Sequence, residues 1–70
     1  MSQEKRLLEY LQNHVSITPL EALSELGIYR LSGRIYDLRA SGHNIVTNII
    51  EVRTAHGENA KIAEYRLVER

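Results

Sequence analysis

Apolar positions near the start of the chain recur at helical spacing. Leu7, Leu8, Leu11 and Val15 stand at i, i+1, i+4 and i+8, one stripe that predicts a first helix over residues 3–14 with Ser2 as its cap. The β-branched run VSIT, residues 15–18, is too short for a helix and predicts a connector able to add one short strand. In the following TPLE, Thr18 caps, Pro19 occupies the first turn where a missing N–H costs nothing, and Glu21 completes a capping box. Leu20, Leu23 and Leu26 then recur every three residues beside Ala22. Gly27 ends this second helix, because glycine readily adopts the left-handed conformation a helix terminus uses.

A third helix is expected from about Arg30 to Ser41, with Leu31, Ile35 and Leu38 pointing inward together. At about 100° per residue, its opposite face comprises Tyr29, Gly33, Tyr36, Asp37 and Ala40, flanked by Arg30, Arg34 and Arg39. Gly42 closes it. Beyond lies HNIVTNIIEV, residues 43–52, rich in β-branched side chains and read as a strand. RTAHGENA, residues 53–60, is a turn around Gly57. KIAEYRLV, residues 61–68, alternates Ala63, Tyr65 and Leu67 with Glu64 and Arg66 as a half-buried strand. The two strands form a hairpin. The first alternates poorly, since Ile49 and Ile50 are adjacent; a bulge, or an apolar face meeting a second subunit, would each account for it. Leu11, Leu23, Ile35, Leu38 and Leu67 should be central to the core, with Tyr10 and Tyr65 joining it.

Composition narrows the functional classes. The chain has 70 residues, enough for one domain (1–70), with 43% hydrophobic and 26% charged residues, as in an ordinary globular protein. It has no cysteine, which excludes a disulfide scaffold or thiolate zinc site and fits a reducing compartment. No apolar run approaches the ~20 residues of a membrane span, and the polar start MSQEKR is no signal peptide. The expected location is cytoplasmic. Nine basic residues balance nine acidic ones, so bulk charge gives no evidence of a polyanionic partner. The distribution says more. Residues 1–26 carry a net −2 and residues 27–57 a net +2, so the middle of the chain is its basic part.

Catalytic and metal chemistry find little support. His14, His43 and His56 fall in three elements without paired spacing, and no nucleophile elbow or phosphate-loop pattern occurs. The expectation is a non-enzyme without metal, cofactor or small-molecule substrate.

Three helices followed by a hairpin, with a short β connector after the first helix, is the order of a winged helix-turn-helix. The stretch TPLEALSELGIYRLSGRIYDLRASGHNI, and above all RIYDLRASGHNI, resembles the small helix-turn-helix domains of phage and prophage origin. These are winged-helix DNA-binding proteins, many of them regulators. In one respect the spacing departs from compact repressors. Six and nine residues after Gly27, where those units bury side chains, stand Gly33 and Tyr36, so the turn or packing should differ, as it does in the winged branch.

The resemblance implies that the third helix enters the major groove and that the hairpin tip touches adjacent backbone or minor groove. The chemistry agrees. Gly33 and Ala40 would permit close approach, Arg30 and Arg34 offer planar donors, and Ser32, Tyr29 and Tyr36 offer hydroxyls, with Asp37 beside Arg34 in the same surface. The wing offers Arg53, His56, Asn59 and Lys61. Each has a plainer reading. Arg34 and Asp37 are spaced to pair, a tyrosine of the two can rest on the core edge, and Arg39 lies where it would snorkel beside the buried stripe. The function expected is sequence-specific recognition of double-stranded DNA by a phage or prophage transcriptional regulator. The alternatives are a winged-helix protein-interaction module and an excisionase-like protein that bends DNA. A single wing-bearing domain rarely supplies enough contacts for tight specific binding, which leaves room for a homodimer.

Overall fold

In a computed structural model, residues 2–68 are described, and their elements run α1 (Gln3–Asn13), α2 (Pro19–Leu26), α3 (Leu31–Ala40), β1 (Ile45–Arg53) and β2 (Asn59–Leu67). Three helices thus precede a two-stranded antiparallel hairpin, the α+β winged helix-turn-helix arrangement that the order of patterns predicts.

The local signals act as expected at most helix ends. The Ser2 hydroxyl accepts from the Lys5 amide at 3.2 Å, and α1 stops one residue short of the predicted end. There the Asn13 side-chain amide donates to Glu9 O at 2.8 Å and His14 Nδ1 lies 3.0 Å from Tyr10 O, so these side chains occupy the last carbonyls of the helix. Val15 therefore falls outside α1, and it is exposed rather than part of the stripe. At α2 the capping box is complete: the Glu21 amide donates to Thr18 Oγ1 at 3.3 Å, and the Thr18 amide donates to Glu21 Oε1 at 2.9 Å. Gly27 adopts φ +68°, and the amides of Gly27 and Ile28 donate to Leu23 O and Ala22 O, each at 3.0 Å. That left-handed step turns the chain so that Ile28, absent from the sequence-based core, points inward and is buried.

The core joins Leu7 and Leu11 of α1, Ile17, Ala22, Ile28, the α3 stripe Leu31–Ile35–Leu38, Ile45 and Tyr65. Leu67 and Tyr10 pack against it only half-buried, and Tyr10 stacks on His14 with ring centroids 3.9 Å apart. Partial burial, reinforced by the carboxylates of Glu21 and Glu25, holds the Tyr10 phenol above the ordinary tyrosine pKa. Leu23 is not central: it is 41% exposed, and Leu20 is 73% exposed. The reason is rotation. Steps of three residues advance about 300°, so a leucine every third position drifts round the helix instead of holding one face. Ala22 and Leu26, four apart, define the side of α2 that meets the core.

The short β connector is present as one bridge. Ile17 and Tyr65 exchange both amide–carbonyl hydrogen bonds at 2.9 Å, tying the segment before α2 to β2. The hairpin register runs one-to-one from Ile45–Leu67 to Arg53–Asn59, so no bulge separates Ile49 from Ile50. Their side chains simply point to opposite faces. The face carrying Ile45, Ala63, Tyr65 and Leu67 meets the helices. Toward the turn both strands pass the predicted limits, to Arg53 and from Asn59, whereas at the base β1 begins only at Ile45 and β2 ends at Leu67, inside them; the turn is residues 54–58, in which the Thr54 amide donates to Glu58 O at 2.7 Å. Only the base of the hairpin packs on the core. Its nine-residue strands carry the tip outward, consistent with a long dimension of 38 Å against 22 and 20 Å.

Candidate nucleic-acid interface

The left-handed Gly27 and inward Ile28 set the angle between α2 and α3, and they leave Tyr29 and Arg30 as the exposed approach to α3. Arg30 is the residue just before the helix rather than in its first turn. Its carbonyl accepts from the amides of Gly33 and Arg34 at 3.1 and 3.3 Å, while its side chain is exposed and does not cap. The two tyrosines of this region do not rest on the core edge: Tyr29 is 85% exposed and Tyr36 72%. Ser32 is exposed as well.

Gly33 lies between them in ordinary helical conformation, and a Cβ built there would meet nothing within 4 Å. Neither backbone geometry nor internal packing thus requires glycine, although glycine weakens a helix interior by up to about 1 kcal/mol relative to alanine. Arg34 and Asp37 form an ion pair at 3.1 Å, with their side chains about a third exposed. A pair of this kind adds only ~0.2–0.5 kcal/mol and leaves further donors of the guanidinium open to solvent.

Arg39 does more than lie along the core edge. Its Nε and Nη2 donate to Ile45 O at 3.0 and 2.7 Å, Nη2 also donates to Thr47 Oγ1 at 2.8 Å, and the guanidinium sits 6.0 Å from the Tyr65 ring centroid. One side chain thus fastens the last turn of α3 to the outer edge of β1 and fixes where the wing leaves the helix. The sequence carries no sign of this, because the contact depends on which carbonyls the strand register turns outward.

On the wing, Arg53, His56 and Lys61 are exposed. The register puts Arg53, Asn59 and Lys61 on the face that meets the helices at its base. Lys61 stands directly across from Glu51, whose charge offsets part of its own. His56 sits in the turn, its amide donating to Thr54 Oγ1 at 3.3 Å. Two exposed surfaces thus follow one another in the chain: the outward side of α3 with Tyr29, Arg30, Ser32, Gly33, Arg34 and Tyr36, then a protruding hairpin with cations near its tip. Among the described residues, no group of three or more acidic, histidine or cysteine side chains is placed to hold a metal ion, and no helix is long and apolar enough to cross a membrane.

Helices α2 and α3 around the Gly27 turn, backed by α1 and followed by a β-hairpin, define a winged helix-turn-helix. The chain belongs to the winged helix-turn-helix domain family, whose model matches residues 2–70. That fold is a DNA-binding one and typically not enzymatic. No curated protein and no solved structure matches the chain significantly.

Proposed function

We propose that this protein is a sequence-specific double-stranded DNA-binding protein, a transcriptional regulator of phage or prophage type, acting as a single domain. In this reading α3 lies in the major groove and the hairpin follows the neighbouring backbone or minor groove. The observation that carries it is the outward side of α3: exposed Tyr29, Arg30 and Tyr36 surround a glycine that the fold itself does not need.

Each part has a physical role there. A glycine without neighbours lets the helix backbone approach base edges closely, and Arg30, at the entrance of the helix, is the residue most able to reach a guanine with both donors. Tyr29, Ser32 and Tyr36 supply hydroxyl donors to phosphates or bases. Arg34 keeps donors free for phosphate while Asp37 holds its orientation. Arg53, His56 and Lys61 meet the backbone beside the groove, and Arg39 keeps the wing at the angle this needs.

Selection from random duplex DNA at low salt tests the reading. An enriched sequence is expected, with affinity for it falling linearly in log–log against salt as counterions are released. No enrichment would overturn it. An affinity indifferent to salt would point to a protein-interaction module instead.

A further inference from the structure

The fold supplies no reason for the glycine in the first turn of α3. Gly33 has ordinary helical backbone and lies half-buried beside the exposed Ser32 and Tyr36. Apart from its chain neighbours and its own helix backbone, nothing stands within 4 Å of the Cβ it lacks. The missing group is a methyl. Its place is a notch of that size, open on the surface that the DNA-binding reading puts in the major groove.

The notch has no polar group to offer. The Gly33 amide donates to Arg30 O at 3.1 Å, and its carbonyl stands inside the helix, where the hydrogen-bond ladder uses it. A phosphate oxygen would find no backbone donor there. Tyr36, one turn further along the same side, presents a largely exposed ring beside it, and no atom of that ring folds over the gap. A group that fills the notch must therefore be small and apolar. The groups that base pairs present along the major groove are hydrogen-bond donors and acceptors, with one apolar exception: the C5-methyl of a pyrimidine.

We infer that Gly33 is the seat of a pyrimidine C5-methyl group, so that α3 reads a 5-methylpyrimidine at this position of its site. The inference rests on the DNA-binding reading and adds to it which base edge meets the gap in the helix. Alanine at position 33 would strengthen the helix but fill the notch with a methyl of its own. The two choices exclude each other: a firmer helix, or a methyl received from the base. Thymine and 5-methylcytosine carry this group at the same place in the groove, and the test separates them.

The test uses the full chain and a duplex selected from random DNA. Replacing each thymine in turn by deoxyuridine removes only the methyl group, and replacing each cytosine by 5-methylcytosine adds it. One such change should alter wild-type affinity about fourfold, the factor that burial of one methyl group corresponds to. The change is a loss with deoxyuridine if thymine is the source, and a gain with 5-methylcytosine if a methylated cytosine is. Gly33→Ala should lose or reverse that discrimination, and a melting temperature at or above wild type shows that its fold is intact. A second readout needs no variant: in the wild-type complex, the methyl protons of that base should show a nuclear Overhauser contact to the Hα protons of Gly33. Equal affinity with and without the methyl at every position, a ratio that Gly33→Ala leaves unchanged, or the absence of that contact would each overturn the inference. Sequence-specific, salt-dependent binding in the same experiment would leave the DNA-binding reading standing. Failure of any duplex to be enriched would overturn both.

Discussion

The two helices of the helix-turn-helix each carry three leucine or isoleucine side chains and use them in opposite ways. In α3, Leu31, Ile35 and Leu38 are separated by four and then three residues, which keeps them within about 60° of one another, and all three are buried. In α2, Leu20, Leu23 and Leu26 are separated by three and three, so they spread over about 120°, and only Leu26 packs on the core while Ala22 is the buried residue. Spacing, not the number of leucines, decides which helix is anchored. The exposed sides differ as well. α2 turns Leu20, Glu21 and Glu25 to solvent, and α3 with its approach turns out Tyr29, Arg30 and Tyr36. Of the two, only the second has the chemistry of a nucleic-acid-facing surface.

The sharpest way to break this contrast is to truncate one leucine from each helix. Leu38→Ala should cost about 2–5 kcal/mol, enough to unfold much of a domain this small, while Leu20→Ala should stay within about 0.5 kcal/mol of wild type in denaturant unfolding. Equal losses would mean that α2 is anchored through its outer leucines after all. A smaller effect is expected at the join between α3 and the wing. Arg39→Ala removes hydrogen bonds from a charged donor to Ile45 O and Thr47 Oγ1 and should lower stability by about 1.5 kcal/mol, with amides at the base of β1 losing hydrogen-exchange protection first. Unchanged protection there would detach the wing angle from Arg39.

Substitution at the outward side of α3 should have the reverse sign in the fold. Gly33→Ala meets no neighbour within 4 Å, so it should stabilise the helix by up to about 1 kcal/mol in thermal unfolding, while duplex affinity falls because the backbone can no longer approach as closely. The smallest effects belong to the wing. Arg53→Ala or Lys61→Ala should leave melting unchanged and lower the slope of log affinity against log salt by about one unit, for specific and random duplexes alike. A slope that does not move would take the phosphate contacts off the hairpin.

Much of this arrangement is legible in the sequence, and the parts that are not have identifiable reasons. The capping box at Thr18–Glu21, the terminator Gly27 and the stripe Leu31–Ile35–Leu38 act over a few residues, so pattern reveals them directly. The Ile17 bridge follows from a β-branched connector. What escapes is set by turn geometry, by the point where a helix stops and by strand register, none of which the apolar spacing carries. Ile28 becomes core because a turn swings it inward, Val15 leaves the core because α1 ends before it, and the Arg39 bonds exist because register turns the Ile45 carbonyl outward. The outward surface of α3 is legible as a cluster of residue types. The exposure of both tyrosines and the open space beside Gly33 come from packing, which spacing alone does not specify.

The central claim, that α3 is recognised by its outward side and not built into the core through it, is tested most directly at Arg30. Its side chain is exposed, makes no cap, and has Gly33 and Arg34 where a helical ion-pair partner would stand. Melting and binding of Arg30→Ala should be measured side by side on a selected duplex. The account predicts a melting temperature close to wild type and a loss of about 1–3 kcal/mol in specific affinity, with preference relaxed at one base position. A destabilised fold with duplex binding intact would contradict it.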